Sequence, residues 1–157
     1  MARIGAEITR DYRGKKLLLI GVLKGCMVFL SDIIRHINLP MEIEFVSGVA
    51  YRHGSIDKLE LRSAAGLPLH VRASDVLLVE GVVDTGQTAS RLMALISRLE
   101  PASAEIVTLL DKPGSHRTKV DVKYRGFSIG NEFVVGYGLD NTQLYRNLPY
   151  IGRMLDV

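Results

Sequence analysis

The stretch that most constrains this chain runs from Val76 to Ser90. Its first residues, Val76-Leu77-Leu78-Val79, form a short apolar run suited to a strand buried in a parallel sheet. Glu80, Gly81, Val82 and Val83 follow, and then a turn of Asp84, Thr85, Gly86, Gln87 and Thr88. Beyond the turn, Leu92, Leu95, Ile96 and Leu99 recur at helical spacing, and Pro101 closes the helix. The pattern is strand, anion-sized loop, helix. Gly86 permits a backbone conformation that points successive N–H groups at one spot. The helix start adds unpaired donors and a partial positive charge, and Thr85 and Thr88 add hydroxyls. The spacing Gly-x-x-x-x-Gly-Lys-Ser/Thr is absent, which excludes a nucleoside-triphosphatase loop. The turn suits a phosphate monoester. Glu80 and Asp84 flank that position, where a sugar with hydroxyls and a reactive carbon would lie. Taken alone, the residues fit equally well a plain strand-to-helix turn in which Asp84 caps the helix.

Length and composition narrow the setting. With 157 residues the chain has the size of one domain, residues 1–157, able to bury a core. Hydrophobic residues at 47% and charged residues at 24% are ordinary for a globular protein. The longest apolar run, Leu17 to Leu23, stops at Lys24 and is too short to span a bilayer. No basic leader precedes an apolar segment at the amino end, so nothing suggests export. The single cysteine, Cys26, forms no internal disulfide, which fits a reducing cytoplasm. It falls in an apolar helical pattern and reads as a small buried residue rather than a nucleophile. A net charge of +3 suits polyanionic small molecules. The basic residues are scattered, without interleaved aromatics, which argues against a nucleic-acid partner.

Along the chain, Met1 to Lys16 reads as a short helix broken at Gly14, and Leu17 to Leu23 as a buried strand. Met27, Leu30, Ile34 and Ile37 mark one face of a helix ended by Pro40. Met41 to Ala50 is a second strand, followed by a polar loop from Tyr51 to Asp57, a short strand at Leu59 to Leu61 and a turn at Gly66-Leu67-Pro68. Ala104 to Leu110 and Phe133 to Val135 are further strands. Lys24 and Lys112 both follow strands at their carboxyl ends, where open α/β sheets bind ligands. Each, read alone, is an ordinary solvated lysine. Strands alternating with helices imply an α/β fold with a largely parallel sheet, and no repeat interrupts it.

Three stretches together carry a resemblance. Glu80 to Thr88 resembles the phosphoribosyl-pyrophosphate (PRPP) signature of type I phosphoribosyltransferases: two acidic residues, two apolar ones, then Asp-Thr-Gly-x-Thr. Val22-Leu23-Lys24-Gly25 is similar to a second motif of the family. Phe133 to Asp140, with Tyr145-Arg146-Asn147-Leu148-Pro149-Tyr150, is similar to a third, found in the hypoxanthine-guanine branch. The resemblance covers nearly the whole chain in the right order. It implies a twisted, largely parallel five-stranded sheet flanked by helices, with a small hood over the base site. The activity implied is purine salvage, converting hypoxanthine, and guanine with it, plus PRPP to IMP or GMP and pyrophosphate.

The roles implied by the resemblance are specific. Asp84 is the catalytic residue, stabilising an oxocarbenium-like ribose and accepting the purine N7 proton. Thr85, Gly86, Gln87 and Thr88 hold the 5-phosphate, and Glu80 a ribose hydroxyl. Lys24, Gly25 and Arg146 hold pyrophosphate, with a cis peptide between Lys24 and Gly25. Lys112 donates to the 6-oxo group, Phe133 stacks on the purine and the Val134 backbone reads its edge. Asp140 contributes on the purine side and, with Glu80, binds Mg2+, which offsets charge on the departing pyrophosphate. Homodimers or homotetramers are implied too.

There are departures. Ala50-Tyr51 stands where the family has Ser-Tyr, Gly130 where relatives often carry proline, and the lead-in before the first helix is short. Gly81 replaces the second acid of the signature. One charged hydrogen bond is worth roughly 1.5–3 kcal/mol, so its loss implies PRPP binding weaker by roughly ten- to a hundredfold. Gly81, Ala50 and the short start favour an alternative, a nucleotide-sensing or RNA-binding regulator on the same fold. The retained Asp84, Lys112, Phe133, Asp140 and Arg146 favour the enzyme.

Overall fold

A computed structural model of the chain describes residues 1–47, 63 and 69–155. The expected loop at Tyr51 to Asp57, the strand at Leu59 to Leu61, the turn at Gly66 to Pro68 and the Ala50-Tyr51 pair lie outside the described residues. Within them, helix α1 (Ala2–Asp11) leads to strand β1 (Leu17–Leu23), helix α2 (Met27–Ile33) and β2 (Glu42–Ser47). Then come β3 (Asp75–Val83), α3 (Gln87–Ser97), β4 (Ser103–Asp111) and β5 (Tyr124–Ser128). Two short strands, β6 (Val134–Val135) and β7 (Gly152–Arg153), pair antiparallel as a separate ribbon.

The five longer strands form one sheet in the order β2-β1-β3-β4-β5, and every pairing in it is parallel. The order follows from the sequence pattern. β1, β3 and β4 are apolar runs that must be covered on both faces, as the centre of a parallel sheet requires. α1 and α2 cover one face, where Ile4, Ile8, Phe29, Leu30 and Ile33 pack with Leu19, Leu77, Val79 and Val107. α3 covers the other through Ala89, Leu92 and Ile96, against Leu18, Ile20, Val76, Leu78 and Ile106. Along β3 the faces alternate up to Val79 and then exchange, since Val82 packs with the first cluster and Val83 with the second. Glu80 and Gly81 occupy that exchange.

The chain leaves β1 for the β2 edge, then returns beside β1 and runs to the other edge. The loops after β1 and β3 therefore open on either side of a topological switch point, the crevice where such sheets take ligands. Two expectations shift slightly. Met27 is 43% exposed because α2 begins there, and Phe29 and Ile33 join Leu30 on the buried face instead. α3 stops at Ser97, so Leu99 packs on the core from just beyond the helix. No helix among the described residues is long and apolar enough to cross a membrane.

α1 is seated on the turn after α2. Thr9 Oγ1 donates to the Gly5 carbonyl at 2.7 Å and accepts from the Asn38 amide at 3.0 Å. A Cβ at Gly5 would lie 2.4 Å from the His36 carbonyl oxygen. Gly5→Ala gains up to about 1 kcal/mol of helix propensity but meets rigid backbone, and overpacking costs about 1–3 kcal/mol. The clash wins: the urea midpoint of Gly5→Ala falls while the slope of its unfolding transition stays unchanged.

Candidate active site

Three loops at the carboxyl ends of β1, β3 and β4 converge with the 133–146 segment. Leu23, Lys24, Gly25, Val82, Asp84, Lys112, Phe133, Val134, Leu139, Asp140 and Arg146 line a cleft of about 380 Å³. Beside it, Glu80, Val82, Val83, Asp84, Thr85, Gly86, Thr88 and Ala89 line a smaller hollow of about 100 Å³. Asp84 belongs to both. The expected site residues, drawn from four distant parts of the chain, are thus brought together; Gln87 joins them as the first residue of α3.

The small hollow is built from backbone. Gly86, at φ 76°, turns the chain from β3 into α3 and is the residue before its first turn. That left-handed conformation suits glycine, and a Cβ there would also lie 2.8 Å from Val120 Cγ2. Gly86 stands at the N-cap and offers no side chain, and the Gln87 amide donates instead to Thr85 Oγ1 at 3.5 Å. α3 opens beside this anion-sized hollow, so its first turn and the positive end of its dipole lie at it. The loop after β4 braces this turn: the Arg117 amide donates to the Thr85 carbonyl at 2.9 Å.

The larger cleft is charged, and two of its cations are paired with its carboxylates. Lys112 Nζ lies 2.6 Å from Asp84 Oδ2, with the lysine side chain 5% exposed and the aspartate 48%. A buried ammonium needs such a partner, so Lys112 is no surface lysine. Its backbone N–H donates to the Val83 carbonyl at 2.9 Å, which fixes the start of the loop beside the phosphate turn. Arg146 Nη2 lies 2.7 Å from Asp140 Oδ1 and Nη1 donates to the Gly138 carbonyl at 2.8 Å. The Arg146 Nε is buried with no hydrogen-bond partner among the described residues. Phe133, 39% exposed, stands at the cleft wall beside Val134. β6, which carries Val134, pairs with β7 to form the ribbon expected as a hood.

Two expectations are corrected. The cis peptide lies between Leu23 and Lys24, one bond earlier than the family motif suggested. And Gly81 leaves no vacancy: a Cβ there would stand 2.5 Å from the Gly25 carbonyl oxygen and 3.0 Å from Leu139 Cδ2. Gly138 approaches the same carbonyl, with its own Cβ position 2.8 Å away. An acid at position 81 has no room while Gly25 keeps its place. Gly81→Asp therefore raises the PRPP Michaelis constant by displacing the Lys24-Gly25 loop rather than lowering it by adding a ligand. Steady-state kinetics on that variant, beside Gly81→Ala, check the direction.

Other contacts at the site were not singled out by sequence. Gln143 Oε1 accepts from Lys24 Nζ and from Arg146 Nη2, both at 3.2 Å. Asp111, fully buried, lies 2.9 Å from His116 Nε2 and 3.0 Å from Arg125 Nε, which ties down the strand end before Lys112. An acid at a strand's last position is a weak signal for such an anchor, and Gln143 in a polar turn gives none. Cys26 is buried, and burial pushes its thiol up to about 12, which keeps it protonated and inert.

Glu80 is 8% exposed, and its Oε1 has no hydrogen-bond partner among the described residues. Burial pushes its carboxyl from 4.5 up to about 8. The folded chain thus keeps a proton that the unfolded chain releases, so the Glu80 contribution to stability is fully present below about 4.5 and is lost as pH rises toward 8. In metal-free buffer, the melting temperature falls between pH 5 and pH 8, roughly the window this shift defines, and falls less in Glu80→Gln. Thermal melts across that range measure both slopes.

Comparison with known proteins agrees with this geometry. Residues 1–142 match the model of the phosphoribosyl transferase domain family. The chain is 42% identical over 158 residues to a hypoxanthine phosphoribosyltransferase of Haemophilus influenzae, covering 99% of this chain and 88% of that protein. It is 42% identical over 151 residues to the hypoxanthine-guanine phosphoribosyltransferase of Staphylococcus aureus strain Mu50, covering 96% and 84%. A crystal structure of a hypoxanthine phosphoribosyltransferase from Staphylococcus aureus superposes with a TM-score of 0.87 at 41% identity, covering 98% of this chain and 83% of that one. With parallel sheet, phosphate-sized turn and paired charges in place, the chain belongs to the phosphoribosyltransferase family, in its hypoxanthine-guanine branch.

Proposed function

We propose that residues 1–157 act as one phosphoribosyltransferase domain that joins a 6-oxopurine to the ribose of PRPP, releasing pyrophosphate. The observation that carries this reading is the position of Asp84, shared by the small hollow and the larger cleft. A 5-phosphate in the turn from Thr85 to Thr88 places the sugar against Asp84. The base then lies in the cleft among Lys112, Phe133 and Val134, and pyrophosphate lies toward Lys24, Gly25 and Arg146. The unpartnered Arg146 Nε supports an anion there.

The Asp84–Lys112 contact explains the choice of base. A 6-oxopurine offers an O6 acceptor beside N7 on one edge, whereas adenine offers an amino donor at the same place. A base bound with O6 toward Lys112 and N7 toward Asp84 replaces the direct ion pair by two hydrogen bonds. Adenine would set its amino group against the Lys112 ammonium and leave it unpaired, a costly arrangement in a buried site. Asp84 takes the N7 proton as the new bond forms and, as a carboxylate beside the anomeric carbon, stabilises the positive charge that develops on the ribose.

The carboxylates present fit Mg2+. Among the described residues no cluster of three or more metal-ligating side chains occurs. Magnesium sites that include substrate phosphates need only one or two carboxylates, and the unpartnered Glu80 Oε1 is one such oxygen. Asp140 is the second, now shared between Arg146 and the Gln143 amide. Bound there, the ion would offset charge on the leaving pyrophosphate. A cytoplasmic site of action accords with the lone, buried Cys26, and a homo-oligomer accords with the resemblance. The regulator reading gains no support, because the relatives are named as transferases.

Mixing the protein with PRPP, Mg2+ and each of hypoxanthine, guanine, xanthine and adenine tests the reading: nucleotide forms with the 6-oxopurines and not with adenine. Asp84→Asn lowers turnover by about 10²-fold or more while IMP affinity changes little. Equal loss of both would remove Asp84 from the chemistry.

A further inference from the structure

Gln143 lies in the turn between Asp140 and Arg146, on backbone held in an uncommon conformation. Thr142 and Gln143 both have positive φ, 48° and 72°. The Gln143 amide donates to Asp140 Oδ2 at 2.8 Å, and the Asn141 and Leu144 backbones bond each other across the turn. This geometry aims the side chain back into the cleft. There its Oε1 accepts from Lys24 Nζ and Arg146 Nη2, both at 3.2 Å, although Lys24 lies 119 positions away in sequence.

Two cations sharing one neutral oxygen is a specific arrangement. A carbonyl oxygen has two lone pairs, and here both are spent on the side chains proposed to grip pyrophosphate. An anion oxygen bridging Lys24 and Arg146 would occupy the place that Gln143 Oε1 holds. Asp140 offsets part of the Arg146 charge at 2.7 Å, whereas Gln143 is the partner on Lys24. We propose that Gln143 is a positioning residue that stands in for a pyrophosphate oxygen. It keeps Lys24 and Arg146 converged in the empty site and competes with the anion as it binds and leaves.

The trade has a direction. A neutral hydrogen bond is weaker than one to a phosphate oxygen, so the anion wins the site, but with reduced affinity. Pyrophosphate leaves more readily because the cations it abandons are at once re-paired. Gln143 thus lowers the affinity for pyrophosphate and PRPP alike and leaves the purine contacts untouched.

The proposal rests on the pyrophosphate reading of Lys24 and Arg146, and the experiment separates the two. Inorganic pyrophosphate with Mg2+ is titrated calorimetrically into the wild type, Gln143→Ala, Gln143→Gly, Gln143→Glu, Lys24→Ala and Arg146→Ala. Michaelis constants for PRPP and hypoxanthine are measured alongside. The glycine variant removes the side chain without the backbone cost that alanine meets at positive φ. Both truncations bind pyrophosphate about two- to tenfold tighter, with the PRPP constant lowered and the hypoxanthine constant unchanged. Gln143→Glu, whose carboxylate competes far better, binds at least about tenfold more weakly. Unchanged or weaker binding in both truncations, while Lys24→Ala and Arg146→Ala weaken it, overturns the placeholder role alone. Unaltered binding in Lys24→Ala and Arg146→Ala overturns the pyrophosphate reading, and the role of Gln143 with it.

Discussion

The Gly25 carbonyl is where the site is held together. It follows the cis Leu23–Lys24 peptide at the end of β1, and it packs against two glycines, Gly81 in β3 and Gly138 before Leu139. Only residues without a Cβ permit backbone to approach that closely. The contact sets the spacing between three chain segments that share no local sequence: the β1 loop, the central strand and the turn leading to Asp140 and Arg146. Lys24, Asp84 and Asp140 inherit their places in one cleft from it. Gly81, which reads as a missing acid, is better understood as the surface on which Gly25 rests.

Around that framework each cation finds a partner, two of them charged and one neutral. Lys112 meets Asp84, Arg146 meets Asp140, and Lys24 meets the Gln143 side chain. A partly dry cleft lined with unpaired cations would be costly, and pairing them within the site lowers that cost. It also leaves each cation ready to exchange its partner for a substrate group of matching charge. Glu80 differs. Its unpartnered oxygen and raised carboxyl mark a place where the fold accepts a penalty without relief from the described residues, as it does at the buried Arg146 Nε. Such a penalty is common where function requires a group the protein alone does not satisfy.

Much of this was legible in the residue pattern. The apolar runs at Leu17 to Leu23, Val76 to Val79 and Ala104 to Leu110 became β1, β3 and β4. They were readable because a strand buried on both faces needs nearly continuous apolar residues. The turn at Gly86 was readable because the glycine and the helix after it are local features. Lys112 and Arg146 were less so. Neither stands out without the resemblance, since burial of a charged side chain depends on what the rest of the chain packs over it. The boundaries of α2 and the exposure of Met27 were missed for a similar reason: periodicity locates a helix face but not the residue where the helix begins.

By itself, then, the sequence determined the elements, their alternation and the phosphate-sized turn, because these depend on neighbours a few positions apart. The tertiary structure decided which distant groups meet. The fit of Gly25 against Gly81, the contact of Gln143 with Lys24 and the pairing of Asp111 with Arg125 all join residues from separate strands and loops. No local pattern encodes such contacts, because they come into being only when the parallel sheet aligns the ends of its strands.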